Sequence, residues 1–195
     1  IIYSVITIFT LFAFLNFVNN DDSYLLSKNV NLGLDLQGGS YLLLEVDSSP
    51  VIKEKLQDKL LLLRKNLKEN KIKYKKLKIE NNFIIFDILI KDTENFNDFF
   101  NTKDSSFNFF YPQYNSHELE YSLNKNRILI KFTKFGVIEI KKTTLEQSLE
   151  IVRRRIDESG TKDPTIVRRG SNRILIELPG LDDPNRIKKL LGKTA

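Results

Sequence analysis

Cysteine, methionine and tryptophan are absent from the 195 residues, and histidine occurs once, as His117. Without cysteine the chain forms no disulfide and has no thiolate to bind a metal, which is compatible with an oxidising compartment without establishing one. His117 has no second imidazole or thiolate to complete a metal site and lies in a polar stretch, where a surface histidine is the ordinary reading. The missing residue types, set beside abundant Ile, Lys, Asn and Phe, read as a compositional bias of the genome with no functional content. Glycine and proline are scarce, at 8 and 5 residues. Gly33, Gly38 and Gly39 do not make G-x-G-x-x-G, and no G-x-x-x-x-G-K-[ST] occurs, so nothing points to nucleotide binding. The sequence offers no catalytic residues and implies no metal and no cofactor; the chain does not read as an enzyme.

Charge is missing altogether from residues 1 to 18, IIYSVITIFTLFAFLNFV, which also lack proline. A membrane span needs ~20 apolar residues, with a range of ~17 to 25, so this segment reads as a transmembrane helix, short or with its beginning outside the sequence. A signal peptide would have a shorter apolar region and a small-residue cleavage site, whereas Asn19-Asn20-Asp21-Asp22 comes next here. That acidic flank suits an anchor with its C-terminal side outside. Residues 19–33 read as a tether. The net charge of +6 is concentrated: residues 51–80 hold eleven Lys or Arg against four acids. The basic residues of that stretch, 53–78, face lipid headgroups, a partner or only water, water being the default reading.

An internal repeat organises the rest of the chain. Ile52, Leu56, Leu60, Leu63 and Leu67 have helical spacing, and Leu145, Leu149, Val152 and Ile156 repeat the last four at an offset of 89. Ile84, Phe86 and Ile88 correspond to Ile174, Ile176 and Leu178 at 90, and Phe96, Phe99 and Phe100 to Ile187, Leu190 and Leu191 at 91. Local signals agree: Ser49-Pro50 and Asp183-Pro184 as helix starts, Thr143 with Glu146 as a capping box, Gly160 and Gly192 as left-handed helix stops, and Asn81-Asn82 and Gly170-Ser171 as hairpin turns. With strands at 41–46 and 128–132, each half reads β-α-β-β-α. The predicted fold class is α+β, two ferredoxin-like units over residues 34–114 and 127–195, joined by a loop at 115–126. A strand is expected near 107–111. Phe107, Phe109, Phe110, Tyr111 and Tyr114 are candidates for an aromatic surface contacting unfolded peptide, with Phe109, Tyr111 and Tyr114 the favoured contacts, against the commoner role of aromatics as core.

Two motifs carry a family resemblance. Leu32 to Gly39, LGLDLQGG, resembles the signature that opens the first extracytoplasmic domain of the SecD family, with Leu34, Asp35, Gly38 and Gly39 as its characteristic residues and Gln37 where the family usually has Arg. An isolated Gly-Gly would signify only a turn before an edge strand. The stretch 151–195 is similar to the family's second pattern, in which Arg155, Gly160, Pro164, Gly170, Arg173 and Gly192 fill motif positions around the ELPG turn of Glu177, Leu178, Pro179 and Gly180. Arg153, Arg154 and Arg155, at consecutive helix positions, read as a solvated face ion-pairing with Glu150, Asp157 or Glu158.

The resemblance implies a subunit of the Sec protein-export machinery in the bacterial inner membrane. It would pair with SecF, associate with the SecY channel complex, and use the proton-motive force to draw the translocating preprotein outward. The N-terminal helix would contact membrane lipid, with the folded part on the periplasmic side. Family proton coupling rests on acidic residues in later membrane helices, and residues 1–18 have none. Two alternatives compete. One is the periplasmic docking domain of an RND-type efflux transporter, from the wider superfamily. The other is a single-stranded RNA-binding ferredoxin-like module, which needs exposed aromatics at adjacent sheet positions. The strand faces here are aliphatic, so no nucleic-acid partner is expected.

Overall fold

The computed structural model describes residues 2–18, 39–103, 106–160, 163–179 and 184–192. Helix α1 (Ile2–Val18) forms where charge is lacking, and the side chains of residues 3–14 are all exposed. Its 17 residues span ~26 Å at ~1.5 Å per residue, against a hydrocarbon core of ~30 Å. Among the described residues no helix is long and apolar enough to cross a membrane. The tether expected over 19–33 lies outside the described residues.

After α1 come β1 (Gly39–Glu45), α2 (Ser49–Glu69), β2 (Tyr74–Glu80), β3 (Phe83–Ile88) and α3 (Thr93–Asn101). The chain continues through β4 (Phe110–Tyr111), β5 (Ser116–His117), β6 (Leu119–Asn124), β7 (Arg127–Phe132), α4 (Lys134–Glu158), β8 (Thr165–Arg169), β9 (Arg173–Pro179) and α5 (Pro184–Leu191). The fold is a mixture of helices and antiparallel sheets. One sheet has the order β2-β3-β7-β6, a second β1-β9-β8, and β4-β5 is a short ladder.

The repeat seen in the sequence is the pattern of burial. Leu56, Leu63 and Leu67 of α2 pack on Ile84, Phe86 and Ile88 of β3 and on Phe96 and Phe100 of α3. Leu145, Val152 and Ile156 of α4 pack on Ile174, Ile176 and Leu178 of β9. Each such side chain contributes roughly 1.5–3 kcal/mol when fully buried. The strand assigned to each half, however, is exchanged. β1 precedes α2 but pairs with β9, Leu42 opposite Ile176, while β7 precedes α4 but pairs with β3, Ile128 opposite Phe86. Each repeat thus supplies the strand that flanks the other's hairpin, which corrects the expectation of two halves that each keep their own first strand. Alternation identifies a strand's buried face; which hairpin it joins is decided only by packing.

Local expectations divide. Asn81 and Asn82 both take positive φ, 50° and 63°, in the β2–β3 turn, and Gly170 (φ 70°) turns β8 into β9. Gly160, at φ 71°, terminates α4 as a left-handed stop. Gly192 is not left-handed; its N–H bonds to the Lys188 carbonyl as a continuation of the helix. α4 starts nine residues before the predicted capping box, so Thr143 and Glu146 are interior, and the N-cap is Thr133, whose hydroxyl accepts from Gly136 N–H at 3.0 Å. At α2 the Ser49 N–H donates to Asp47 Oδ1 at 2.9 Å, upstream of the expected cap. The loop predicted at 115–126 instead contributes β5 and β6, because Leu119 and Tyr121 alternate inward beside β7. Only Phe110–Tyr111 of the strand expected near 107–111 forms. Pro184 opens α5 as predicted, with Asp183 outside the described residues.

Candidate functional site

Two places gather the residues singled out by sequence. The first is the start of the β1–β9 ladder, where Gly39 lies opposite Pro179, Ser40 opposite Leu178 and Tyr41 opposite Glu177. The last glycine of LGLDLQGG therefore meets the ELPG residues across adjacent strands, although 140 positions separate them in the sequence. Proline has no N–H to give a ladder and is tolerated at a strand's end, which is where Pro179 stands. Leu178 is buried in the second core, Glu177 is half-buried on the opposite face, and Tyr41 is 71% exposed. Leu34, Asp35, Gly38 and Gly180 lie outside the described residues. Arg155 of the second motif does not ion-pair among the described residues as expected of a solvated face: half-buried, it donates from its guanidinium to the Leu191 carbonyl at the end of α5, tying the short helix to α4. Arg153 pairs with Glu150 at 2.6 Å, one turn away on the same helix.

The second place is the β4–β5 hairpin, closed by a 3-10 turn at Pro112–Tyr114 and by Asn115 at φ 47°. Phe107 is fully buried and belongs to the first core. Phe109, at 54% exposure, begins an aromatic row. It lies 5.1 Å from Tyr111, which lies 6.2 Å from Tyr114; Tyr114 in turn stacks on Phe135 at 4.7 Å and 12°. Of the five candidates, Phe109, Tyr111 and Tyr114 converge, whereas Phe107 is core and Phe110 packs on His117; α4 adds Phe135, which no sequence signal marked. Each ring pair adds ~0.5–1.5 kcal/mol beyond burial.

Carboxylates border this row. The Tyr114 hydroxyl donates to Glu139 Oε1 at 2.8 Å, and that bond raises its pKa. The Tyr111 phenol is pushed up to about 12, first by burial and then by the negative charges of Glu118 and Glu139. Both phenols therefore stay neutral donors well into alkaline solution.

A buried polar cluster fixes the hairpin. Lys59 of α2 donates to the Phe107 carbonyl and to Glu118 Oε2, both at 2.6 Å, with the two side chains 10% and 11% exposed. Asn108 donates to the Phe100 and Leu119 carbonyls at 3.1 and 3.2 Å and accepts from Leu119 N–H at 2.8 Å, standing in for a strand neighbour. The Thr133 hydroxyl donates to the His117 carbonyl at 2.8 Å, and a Cβ on Gly136 would come within 2.4 Å of the Glu118 carbonyl oxygen. His117 is half-buried rather than a free surface residue, its ring 5.0 Å from Phe110. A lysine inside the Leu56–Leu63 stripe was the one sequence signal of this cluster; Asn108 gave none. The arrangement offers neutral hydroxyl donors, aromatic faces and carboxylates on a braced support, suited to shallow contact with an extended chain.

Comparison with known proteins supplies the family. The chain matches the profile of the SecD/SecF GG motif over residues 25–50 and that of the protein translocase subunit SecDF P1 domain, N-terminal, over residues 145–195. It is 34% identical over 198 residues to the protein translocase subunit SecD of Rickettsia prowazekii and 36% identical over 197 residues to that of Rickettsia typhi, each covering 100% of this chain and 36% of the relative. The SecD of Aquifex aeolicus is 34% identical over 169 residues, 85% of this chain and 30% of that protein. The chain thus spans about a third of the length of these curated relatives. No solved structure matches. With both family motifs meeting on one ladder and the similarity running the length of the chain, the protein belongs to the SecD family over the region it spans.

Proposed function

We propose that this chain is the N-terminal part of an accessory Sec protein-export subunit, with α1 at the bacterial inner membrane and the sheets on the periplasmic side. SecF, the SecY channel complex and the translocating preprotein are its partners in this reading, and the whole protein couples export to the proton-motive force. The observation that carries it is the pair of family motifs, in family order, joined at Gly39 and Pro179. α1 is the anchoring helix, uncharged and with its described side chains uncovered. The four-stranded order β2-β3-β7-β6 supports a ferredoxin-like arrangement around the first core, built from strands of both repeats, and the three strands β1-β9-β8 follow the same pattern around the second. The relatives carry translocase names, so neither the efflux-docking nor the RNA-binding reading is favoured.

The row of Phe109, Tyr111 and Tyr114 contacts the emerging polypeptide in this proposal, holding it by ring faces and hydroxyl donors against backsliding. The test is photocrosslinking from Phe109 and Tyr114 in the full-length protein, with an exported substrate arrested midway. Adducts that require the arrested chain support the contact. Adducts confined to other membrane subunits would leave the domain a docking module and sink it.

A further inference from the structure

One end of the first sheet is basic beyond what its fold requires. β2 and β7 begin there and β3 and β6 finish there, and an open cleft of ≈ 920 Å³ is walled by Lys73, Lys75, Lys125 and Arg127, with Asp87 as the acid among them. A second cleft of ≈ 710 Å³ shares Lys73 and Lys75 and adds Arg64, Lys68 and Lys71, with no carboxylate in its walls. Asp87 is already engaged by Arg127 Nε at 3.1 Å. The other six cations make no ion pair among the described residues. An ordinary solvated face intersperses both signs; this one is left unneutralised.

Beside the cations stands an apolar tip. Leu89, a wall of the larger cleft, is 44% exposed, and Ile90 after it is 74% exposed. Lys91 comes next, also exposed, and Asp92 beyond it has one carboxylate oxygen buried. An acidic soluble partner would account for the lysines and leave the aliphatic tip in water; an apolar partner would do the reverse. The surface of an anionic bilayer offers phosphate charge and an acyl boundary at one depth, matching both.

We propose that this basic end of the first sheet is a docking surface for anionic phospholipid headgroups, with Leu89 and Ile90 entering the interface. It rests on the reading of α1 as a membrane anchor, which keeps the domain close enough for such weak contacts to operate. A surface that touches the bilayer in this way would set the tilt of the folded part over the membrane.

The full chain reconstituted in phosphatidylcholine vesicles, with and without phosphatidylglycerol, tests this by amine acetylation and mass spectrometry. Flotation with phosphatidylcholine alone reports the anchor separately. The expected result is that phosphatidylglycerol slows acetylation of Lys71, Lys73, Lys75 and Lys125 about fivefold. Lys53 and Lys55, at the start of α2, keep their rates. High salt, Ile90→Asp, or Lys73→Glu with Lys125→Glu each abolish the protection. Equal rates in both vesicles overturn the proposal. So does equal protection by free glycerol phosphate that Ile90→Asp leaves intact, which would mean a small-anion site instead. A chain that fails to float overturns the anchoring reading alone; the same lysine comparison with added phosphatidylglycerol vesicles then still decides the basic surface.

Discussion

Lys59 is the residue on which the candidate peptide surface depends most directly. Its ammonium reaches from α2 to both the Phe107 carbonyl and Glu118, and with it the β4–β5 hairpin is pinned to the first core. Lys59→Met leaves Glu118 buried without a partner, a loss of ~3–5 kcal/mol measurable by urea denaturation; adding Glu118→Leu recovers most of it, since removing both charges also removes the desolvation penalty. The tyrosines give a second prediction. Tyr111 is held protonated up to about 12, above its ordinary 10.0. A raised phenol pKa means its contribution to stability is complete below pH 10 and is lost as pH climbs through 12. Spectrophotometric titration should show Tyr111 and Tyr114 ionising late. Glu139→Gln should lower both, more for Tyr114, which donates to that carboxylate. Unchanged late phases in that variant would refute the assignment.

At the scale of elements, α4 is the member that joins the two cores. Val137 and Ile140 pack on the first, and Leu145, Val152 and Ile156 on the second. Its N-terminus is fixed by Thr133, which accepts from Gly136 and donates to the hairpin backbone. Thr133→Ala should therefore cost ~1–2 kcal/mol in thermal or urea unfolding, the usual value of an N-cap. Thr143→Ala should cost far less, because Thr143 is exposed in mid-helix rather than a cap. The capping box at Thr143 and Glu146 is legible in the sequence and unused. The helix propagates through it, since extending α4 back to Lys134 buries Ile140 and seats Gly136 against Glu118.

For the whole molecule the exchanged strands decide cooperativity. β1 crosses to β9, β7 crosses to β3, and α4 spans both cores, so neither sheet is complete without chain from the other repeat. Ile176→Ala, which opens the second core at a cost of ~2–5 kcal/mol, should lower amide exchange protection in β3 and β7 as well as in β9. Loss confined to the second sheet would show that the two cores open separately. The long separation of Gly39 from Pro179 also places the β1–β9 ladder late in folding, because its loop must close before the contacts form.

The helical stripes, the strand faces, the hairpin turns at Asn81 and Gly170, and the family motifs are local patterns, and sequence by itself determined them. Periodicity and turn chemistry act over a few residues and survive in any compact arrangement. Partnership is another matter. That Gly39 meets Pro179, that each repeat borrows the other's strand, and that Phe135 completes the aromatic row depend on which apolar faces bury one another across distances that no local pattern encodes. Only the tertiary structure decided these. The same holds for the basic end of the first sheet, where turns far apart in sequence bring Lys73 and Lys125 to one cleft.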